Sequence, residues 1–213
     1  MVAQVRVVKP IVTHSKTTNL AFGLGFSRSV IYLQRNVKPD NDANGIQANL
    51  VYGGSNIFRC SAEYTYYFPI SIGPTWYNIK SSSIEANIHA IARFSNTKSY
   101  FYPVFGLSYN VFSGFYTGAS DYLNLNKLYP IQSQVVTKWL GVNIGTGYEL
   151  FFAKSSFFID YKMRIGRTEG KNDLNIMDVC ITSGLRYTIT IPTFYQLFRG
   201  THSRYSLKTK SSH

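Results

Sequence analysis

Strict alternation of apolar and polar residues is the feature that most restricts what this chain can fold into. It recurs in eight segments bounded by clusters of Gly, Asn, Ser, Asp, Pro or Lys, as in FRCSAEYTYYF (Phe58–Phe68) and LGVNIGTGYEL (Leu140–Leu150). A period of two residues is typical of a β-strand with one apolar face, and no helical period is sustained anywhere. The sequence therefore predicts a single all-β unit of eight strands.

The two faces of these strands differ in charge. No charged residue falls on the apolar face, and on a lipid-facing strand such a charge costs about 2–4 kcal/mol at mid-depth. The opposite face carries acids and bases in balance, together with many glycines. Enclosed charges must be paired, so we expect a lumen charge network. Its candidate members are Arg59, Glu63, Glu85, His89, Arg93, Glu149, Asp160, Lys162, Arg164, Asp178 and Arg186.

The connections between segments alternate in length. Tight turns fall at residues 53–56, 95–98 and 152–155, whereas longer connections are expected at 34–45, 69–83, 113–138 and 166–176. Short turns at one rim, long loops at the other and an even strand count describe an up-and-down transmembrane β-barrel. We expect the eight-stranded antiparallel barrel to span residues 18–191. Residues 1–17 and a basic tail, residues 192–213, should lie on the periplasmic side.

Aromatic residues near the strand ends predict two girdles facing the membrane interfaces. Those near the short turns are Tyr52, Phe58, Phe94, Phe101, Tyr148, Phe151, Phe157 and Tyr187, and those near the long loops are Tyr32, Tyr66, Phe68, Tyr109, Phe112 and Trp139.

The alternating strands, such as FGLGFS and GVNIGTGYEL, resemble the small outer-membrane β-barrel proteins of the OmpA/OmpX type, within the wider porin-like family. The resemblance implies a multi-pass protein of a Gram-negative outer membrane, in contact with its lipid and folded by the barrel-assembly machinery. It also implies roles in envelope integrity, adhesion, secretion or small-solute passage. The sequence departs from this pattern in two respects: no signal peptide precedes Lys9, and further residues follow Ile191.

No enzyme, metal or cofactor is expected. His89 has Glu85 and Arg93 four positions away on the same face, but no nucleophile is placed to exchange a proton with it. The remaining histidines lack ligand spacing with Cys or acidic residues. Cys60 and Cys180 fall on opposite faces of strands that are not neighbours, which excludes a disulfide.

The net charge of +12 lies outside the strand interiors, mainly in the terminal segments and turns. Because basic and aromatic residues do not form one interleaved stripe, we expect no nucleic-acid partner. The longest connection contains Phe115, Tyr116, Tyr122 and Tyr129, which are candidates for binding an envelope protein or a surface ligand. Deleting this connection should leave the barrel folded and remove such binding.

Three functions are compatible with these observations. The preferred one is a non-enzymatic outer-membrane barrel with an envelope structural or surface-interaction role, including an accessory role in secretion. The alternatives are a narrow porin-like pore for small solutes and a soluble lipocalin-like barrel that binds a ligand. The direction in which the apolar face points separates the soluble alternative from the other two.

Overall fold

The chain is almost entirely β-strand in the part that the structure, a computed structural model, describes: residues 17–33, 41–53, 57–72, 76–93, 98–117, 132–168 and 175–192. The strands are β1 (Thr17–Leu33), β2 (Asn41–Gly53), β3 (Phe58–Ile72), β4 (Trp76–Ala90), β5 (Ala92–Arg93), β6 (Ser99–Thr117), β7 (Gln132–Phe152), β8 (Ser155–Thr168) and β9 (Asn175–Pro192). No helix in these residues is long and apolar enough to cross a membrane.

The strands form one closed antiparallel sheet. Their order is β4-β3-β2-β1-β9-β8-β7-β6-β5, and pairing of β4 with β6 closes the circle. The first and last strands pair along their whole length, from Thr17 opposite Pro192 to Leu33 opposite Ile176. Because β5 continues β4 beyond Ile91, the two occupy one position in the barrel wall. The barrel therefore has eight strands around its circumference. The prediction of an eight-stranded antiparallel barrel is confirmed.

Pro103 explains why β4 and β5 are separate. The register places His89 opposite Val104 and Ala92 opposite Phe101, so Ala90 stands opposite Pro103. The Ile91 amide donates to the Ile57 carbonyl, at 2.6 Å, on the β3 side. Neighbouring residues of a strand direct their backbone groups to opposite sides, so those of Ala90 face β6. There Pro103 has no N–H to donate, and the ladder is interrupted.

The strands are longer than the alternation predicted, so the bounds expected for the long connections were wrong. Pairing continues to Ile31 opposite Asn41, Ile72 opposite Trp76, Thr117 opposite Gln132 and Arg167 opposite Asn175. Near the rim of a barrel, both faces of a strand can be polar. The hydrogen-bonded ladder therefore extends further along the chain than the alternation of apolar and polar residues.

Apolar side chains point out of the barrel and polar ones point in. Leu24 and Leu107 are 73% and 64% exposed, whereas Lys162 and Arg164 are 0% exposed. A lipocalin-like barrel has the opposite arrangement, with apolar side chains around an internal ligand, so the structure argues against that alternative. Cys60 is exposed on the outer face and Cys180 is buried, and both are free thiols.

Three aromatic residues assigned to the girdles lie on the inner face instead. Trp139 is buried, and its ring would lie 2.6 Å from a Cβ at position 141, which only a glycine permits. Phe112 falls at the inward parity of its strand, between buried Asn110 and Gly114. Phe151 packs against Tyr100 with ring centroids 4.5 Å apart. Inward aromatic rings fill the two ends of a barrel whose middle is polar, so the assignment of these three to lipid-facing girdles was wrong.

Candidate functional site

The interior of the barrel holds two clusters of charged side chains. The short-turn cluster comprises Arg59, His89, Glu149, Asp160 and Arg186, and the long-loop cluster comprises Glu63, Glu85, Lys162, Arg164 and Asp178. Every one of these residues is at most 5% exposed. They reach the interior because each stands at the inward parity of its strand.

Arg186 organises the short-turn cluster. Its guanidinium donates to Glu149 at 2.9 Å, to Asp160 at 3.0 Å and to the side-chain oxygen of Asn49 at 3.1 Å. Arg59 approaches the same Glu149 carboxylate at 2.5 Å. The Arg186 guanidinium also lies over the Phe158 ring, 3.8 Å from its centroid. Each of the two carboxylates therefore has a cationic partner inside the barrel, as burial of charge requires.

The long-loop cluster is a chain of alternating charges. Lys162 Nζ bridges Glu63 and Glu85 at 2.6 and 2.8 Å. Arg164 continues the chain, with 2.6 Å to Glu85 and 2.5 Å to Asp178. The carboxylates gain further donors, since Asn87 donates to Glu63 at 2.8 Å and Asn143 to Glu85 at 3.1 Å. This network ties β3, β4, β8 and β9 together across the lumen.

His89 connects the two clusters. Arg59 Nε donates to His89 Nδ1 at 2.9 Å, so this ring nitrogen is the acceptor and the proton lies on Nε2. His89 Nε2 then donates to Ser61 Oγ at 3.1 Å, and Ser61 donates to Glu63 at 2.7 Å. The ring also stacks on Tyr102, with centroids 4.9 Å apart. Both nitrogens of His89 are thus occupied by hydrogen bonds within the network.

All of the sequence-derived network residues except Arg93 lie in these two clusters. The side chain of Arg93 is outside the described residues. Phe115 and Tyr116 belong to β6 rather than to a loop, and their side chains are likewise outside the described part of the structure. Tyr122 and Tyr129 lie entirely outside the described residues.

The uncharged partners of the charges were not among the residues predicted for this network. Those that bond to its charged side chains include Ser29, Gln47, Asn49, Ser61, Tyr67, Ser83, Asn87, Tyr102, Asn143 and Ser156. Each occupies an inward position of an alternating strand, so the alternation itself could have identified them.

This interior is filled and bonded rather than open. The described strands contain no group of three or more His, Cys, Asp or Glu side chains that could hold a metal ion. Three inward polar atoms, Arg59 Nη2, Asn143 Oδ1 and Arg164 Nε, have no protein partner in the described region. Such an arrangement holds the strands in register. An eight-stranded barrel is just wide enough for side chains to fill it.

Comparison with solved structures identifies the architecture. Neisserial surface protein A (NspA) matches with a TM-score of 0.56 and 16% sequence identity over 79% of this chain and 96% of that one. A major outer membrane protein from Thermus thermophilus matches with a TM-score of 0.53 and 11% identity over 80% and 99%. The chain has the OmpA/OmpX-type fold of a small outer-membrane β-barrel. No family model and no curated protein sequence matches this chain.

Proposed function

We propose that this chain is a non-enzymatic, multi-pass protein of a Gram-negative outer membrane. Its barrel serves as a closed anchor in the outer-membrane lipid, placed there by the barrel-assembly machinery. Its long-loop rim carries an envelope structural or surface-interaction role, including an accessory role in secretion. The fold shared with NspA and the Thermus protein supports the location, and the filled lumen supports an anchor rather than a conduit.

The observation that carries the proposal is the inverted distribution of polarity. Large apolar side chains are exposed around the circumference, among them Leu24, Leu107, Leu140 and Leu185 at 63% or more. A contiguous apolar surface of this extent is rare on a monomer in water. Buried charges in the interior satisfy one another. A hydrocarbon solvent around the barrel removes the cost of exposing the apolar side chains. It also accounts for the location of the charged side chains in the interior rather than on the outer face.

One pair of substitutions tests whether the exposed belt faces lipid. Leu107→Arg places a charge in the middle of the outer face, and it should lower the free energy of unfolding in phospholipid vesicles by about 2–4 kcal/mol. The matched control is Ile57→Arg, which is 69% exposed beside the short turn, outside the belt. This control should change the stability by less than about 0.5 kcal/mol.

Equilibrium urea unfolding gives both free energies, and electrophoretic mobility before and after boiling reports whether the barrel is closed. The unmodified protein should fractionate with outer membrane and migrate differently before boiling. A soluble protein without a mobility shift, in which Leu107→Arg costs nothing, would contradict the proposal.

A further inference from the structure

Two neighbouring residues of the barrel interior each have one polar atom without a protein partner. Asn143 and Arg164 stand directly opposite each other in the β7–β8 ladder. Both are 0% exposed, yet Asn143 Oδ1 and Arg164 Nε have no hydrogen-bond partner in the part of the chain that the structure describes. The amide oxygen only accepts hydrogen bonds, and the guanidinium nitrogen only donates them. The pair therefore presents one unused acceptor and one unused donor.

The other polar atoms of the two side chains converge on one carboxylate. Asn143 Nδ2 donates to Glu85 Oε2 at 3.1 Å, and Arg164 Nη2 donates to Glu85 Oε1 at 2.6 Å. Asn143 Nδ2 also donates to Asn87 Oδ1 at 2.9 Å, so the nitrogen and the oxygen of the Asn143 amide are distinguished by their partners. Since the Cβ atoms of directly opposed residues are about 4.5–5.5 Å apart, the two side chains run side by side to Glu85. Their unused atoms are thereby held close together.

The surrounding charges select an uncharged ligand for these two atoms. The long-loop cluster contains three carboxylates and two cations, so it repels an anion. A cation at Asn143 Oδ1 would lie beside the Arg164 guanidinium, which repels it. A water molecule accepts from a donor and donates to an acceptor, and with two ordinary hydrogen bonds it bridges atoms about 5–6 Å apart. Water therefore has the size and the polarity that the pair requires.

The ring of Trp139 covers the pair on the long-loop side. The next inward residue beyond each member of the pair is a glycine, Gly141 on β7 and Gly166 on β8, and the two glycines stand opposite each other. A Cβ at position 141 would lie 2.6 Å from the Trp139 ring, and a Cβ at position 166 would also collide with it. The ring thus lies across both glycines. Because Trp139 is itself only 5% exposed, it separates the pair from the long-loop mouth of the barrel.

We infer that Asn143 and Arg164 form a binding site for one water molecule, closed toward the long loops by Trp139. The water donates to Asn143 Oδ1 and accepts from Arg164 Nε, which satisfies two buried polar atoms at once. This inference goes beyond the role of the barrel as an anchor. It assigns a solvent position to the filled interior, and it assigns to one aromatic ring the control of solvent exchange with the outside.

Cross-relaxation between water and arginine side chains tests the site in the unmodified protein. In NMR spectra of the folded protein in detergent micelles, Arg164 Nε–H should show a water cross-peak with the sign of a bound molecule rather than that of proton exchange. Arg186 is the control in the same spectrum, because its Nε donates to Asn49 Oδ1 at 3.1 Å. Arg186 Nε–H should show no such cross-peak.

A pair of substitutions tests the acceptor. Asn143→Leu removes the amide oxygen at nearly constant volume, so the water cross-peak of Arg164 Nε–H should be lost. The matched control is Asn49→Leu, which removes a buried amide oxygen from the short-turn cluster. This control should leave the Arg164 cross-peak unchanged.

A second pair of substitutions tests the cover. In Trp139→Ala, hydrogen exchange of Arg164 Nε–H should become about tenfold faster relative to that of Arg186 Nε–H, because a local opening then suffices. Comparison of the two arginines removes any effect of global stability. Leu140→Ala is the matched control, since Leu140 is the next residue and is 64% exposed on the outer face. It should leave the ratio of the two exchange rates unchanged.

Two results would overturn the water site: equal behaviour of Arg164 and Arg186 Nε–H toward water in the unmodified protein, or persistence of the Arg164 cross-peak in Asn143→Leu. An unchanged exchange ratio in Trp139→Ala would overturn the assignment of the ring as the cover. The comparison within the unmodified protein does not depend on the folding of any variant. The proposed membrane location is tested separately, by fractionation and by the mobility shift before boiling.

Discussion

At the scale of single residues, Arg186 joins two buried carboxylates to two uncharged partners. It is 1% exposed and contacts Glu149, Asp160, Asn49 and Tyr102. Removing one member of a buried ion pair leaves its partner charged and without compensation, which costs far more than the pair itself contributes. The stability of the barrel therefore depends on each buried charge having a partner of opposite charge.

Arg186→Met should lower the free energy of unfolding by about 3–5 kcal/mol, because Asp160 then has no cation beside it. The measurement is equilibrium urea unfolding in phospholipid vesicles. The control combines Arg186→Met with Asp160→Asn, which removes the uncompensated charge while Glu149 keeps its ion pair with Arg59, and it should recover part of the loss. A loss below about 1 kcal/mol for Arg186→Met alone would show that the ion pairs are not needed to compensate the buried carboxylates.

At the scale of a strand, Pro103 marks the one interruption between β4 and β6 on the short-turn side of the described ladder. A backbone group without a partner costs several kcal/mol in hydrocarbon. Proline also restricts the conformations of the unfolded chain, which stabilises the folded state by about 0.4–1 kcal/mol. The destabilisation from the missing hydrogen bond is larger than this stabilisation.

Pro103→Val should therefore raise the free energy of unfolding by about 1 kcal/mol or more, since the new amide can donate to Ala90. Hydrogen exchange should show a protected amide at position 103. Pro69→Val is the control, because Pro69 lies within the register shift between Tyr67 and Ile70, where the ladder offers no regular partner. An unprotected amide at position 103 would mean that Ala90 is not directed toward β6.

At the scale of the whole molecule, closure of the barrel depends on the ladders and not on the tips of the hairpins. The β6–β7 ladder runs without a shift from Ser99 opposite Leu150 to Thr117 opposite Gln132. The described pairs of this ladder lie entirely within β6 and β7. We therefore expect that barrel stability and a function of the rim can be separated by substitution.

Replacing residues 118–131 by Asn-Gly, a favoured two-residue hairpin turn, should leave the mobility shift and the urea midpoint unchanged. Removing residues 113–138, the connection expected from the alternation, is the contrasting variant. It deletes paired residues such as Ser113 and Val136, so its urea midpoint should fall. Loss of folding in the shorter replacement would show that closure needs the hairpin tip.

The sequence by itself determined the number of strands and the face on which most side chains lie. The geometry of a strand gives its side chains a period of two, and lipid penalises any charge on the outer face. The alternation of apolar and polar residues can therefore be recognised from the sequence alone. The same penalty made the charged members of the interior visible from Arg59 to Arg186. It did not act at the rims, where the alternation failed to predict how far the strands extend.

Only the tertiary structure decided which charges meet and where the inward aromatic rings lie. Lys162 bonds to Glu63, yet β8 and β3 are not neighbours in the sheet. That contact exists because closing the sheet brings opposite walls within one side-chain length. Trp139 points inward by the parity of its strand, and glycines at positions 141 and 166 leave room for its ring. Alternation assigns each side chain to a face, but partners across the lumen depend on closure, stagger and space, which are properties of the closed barrel as a whole.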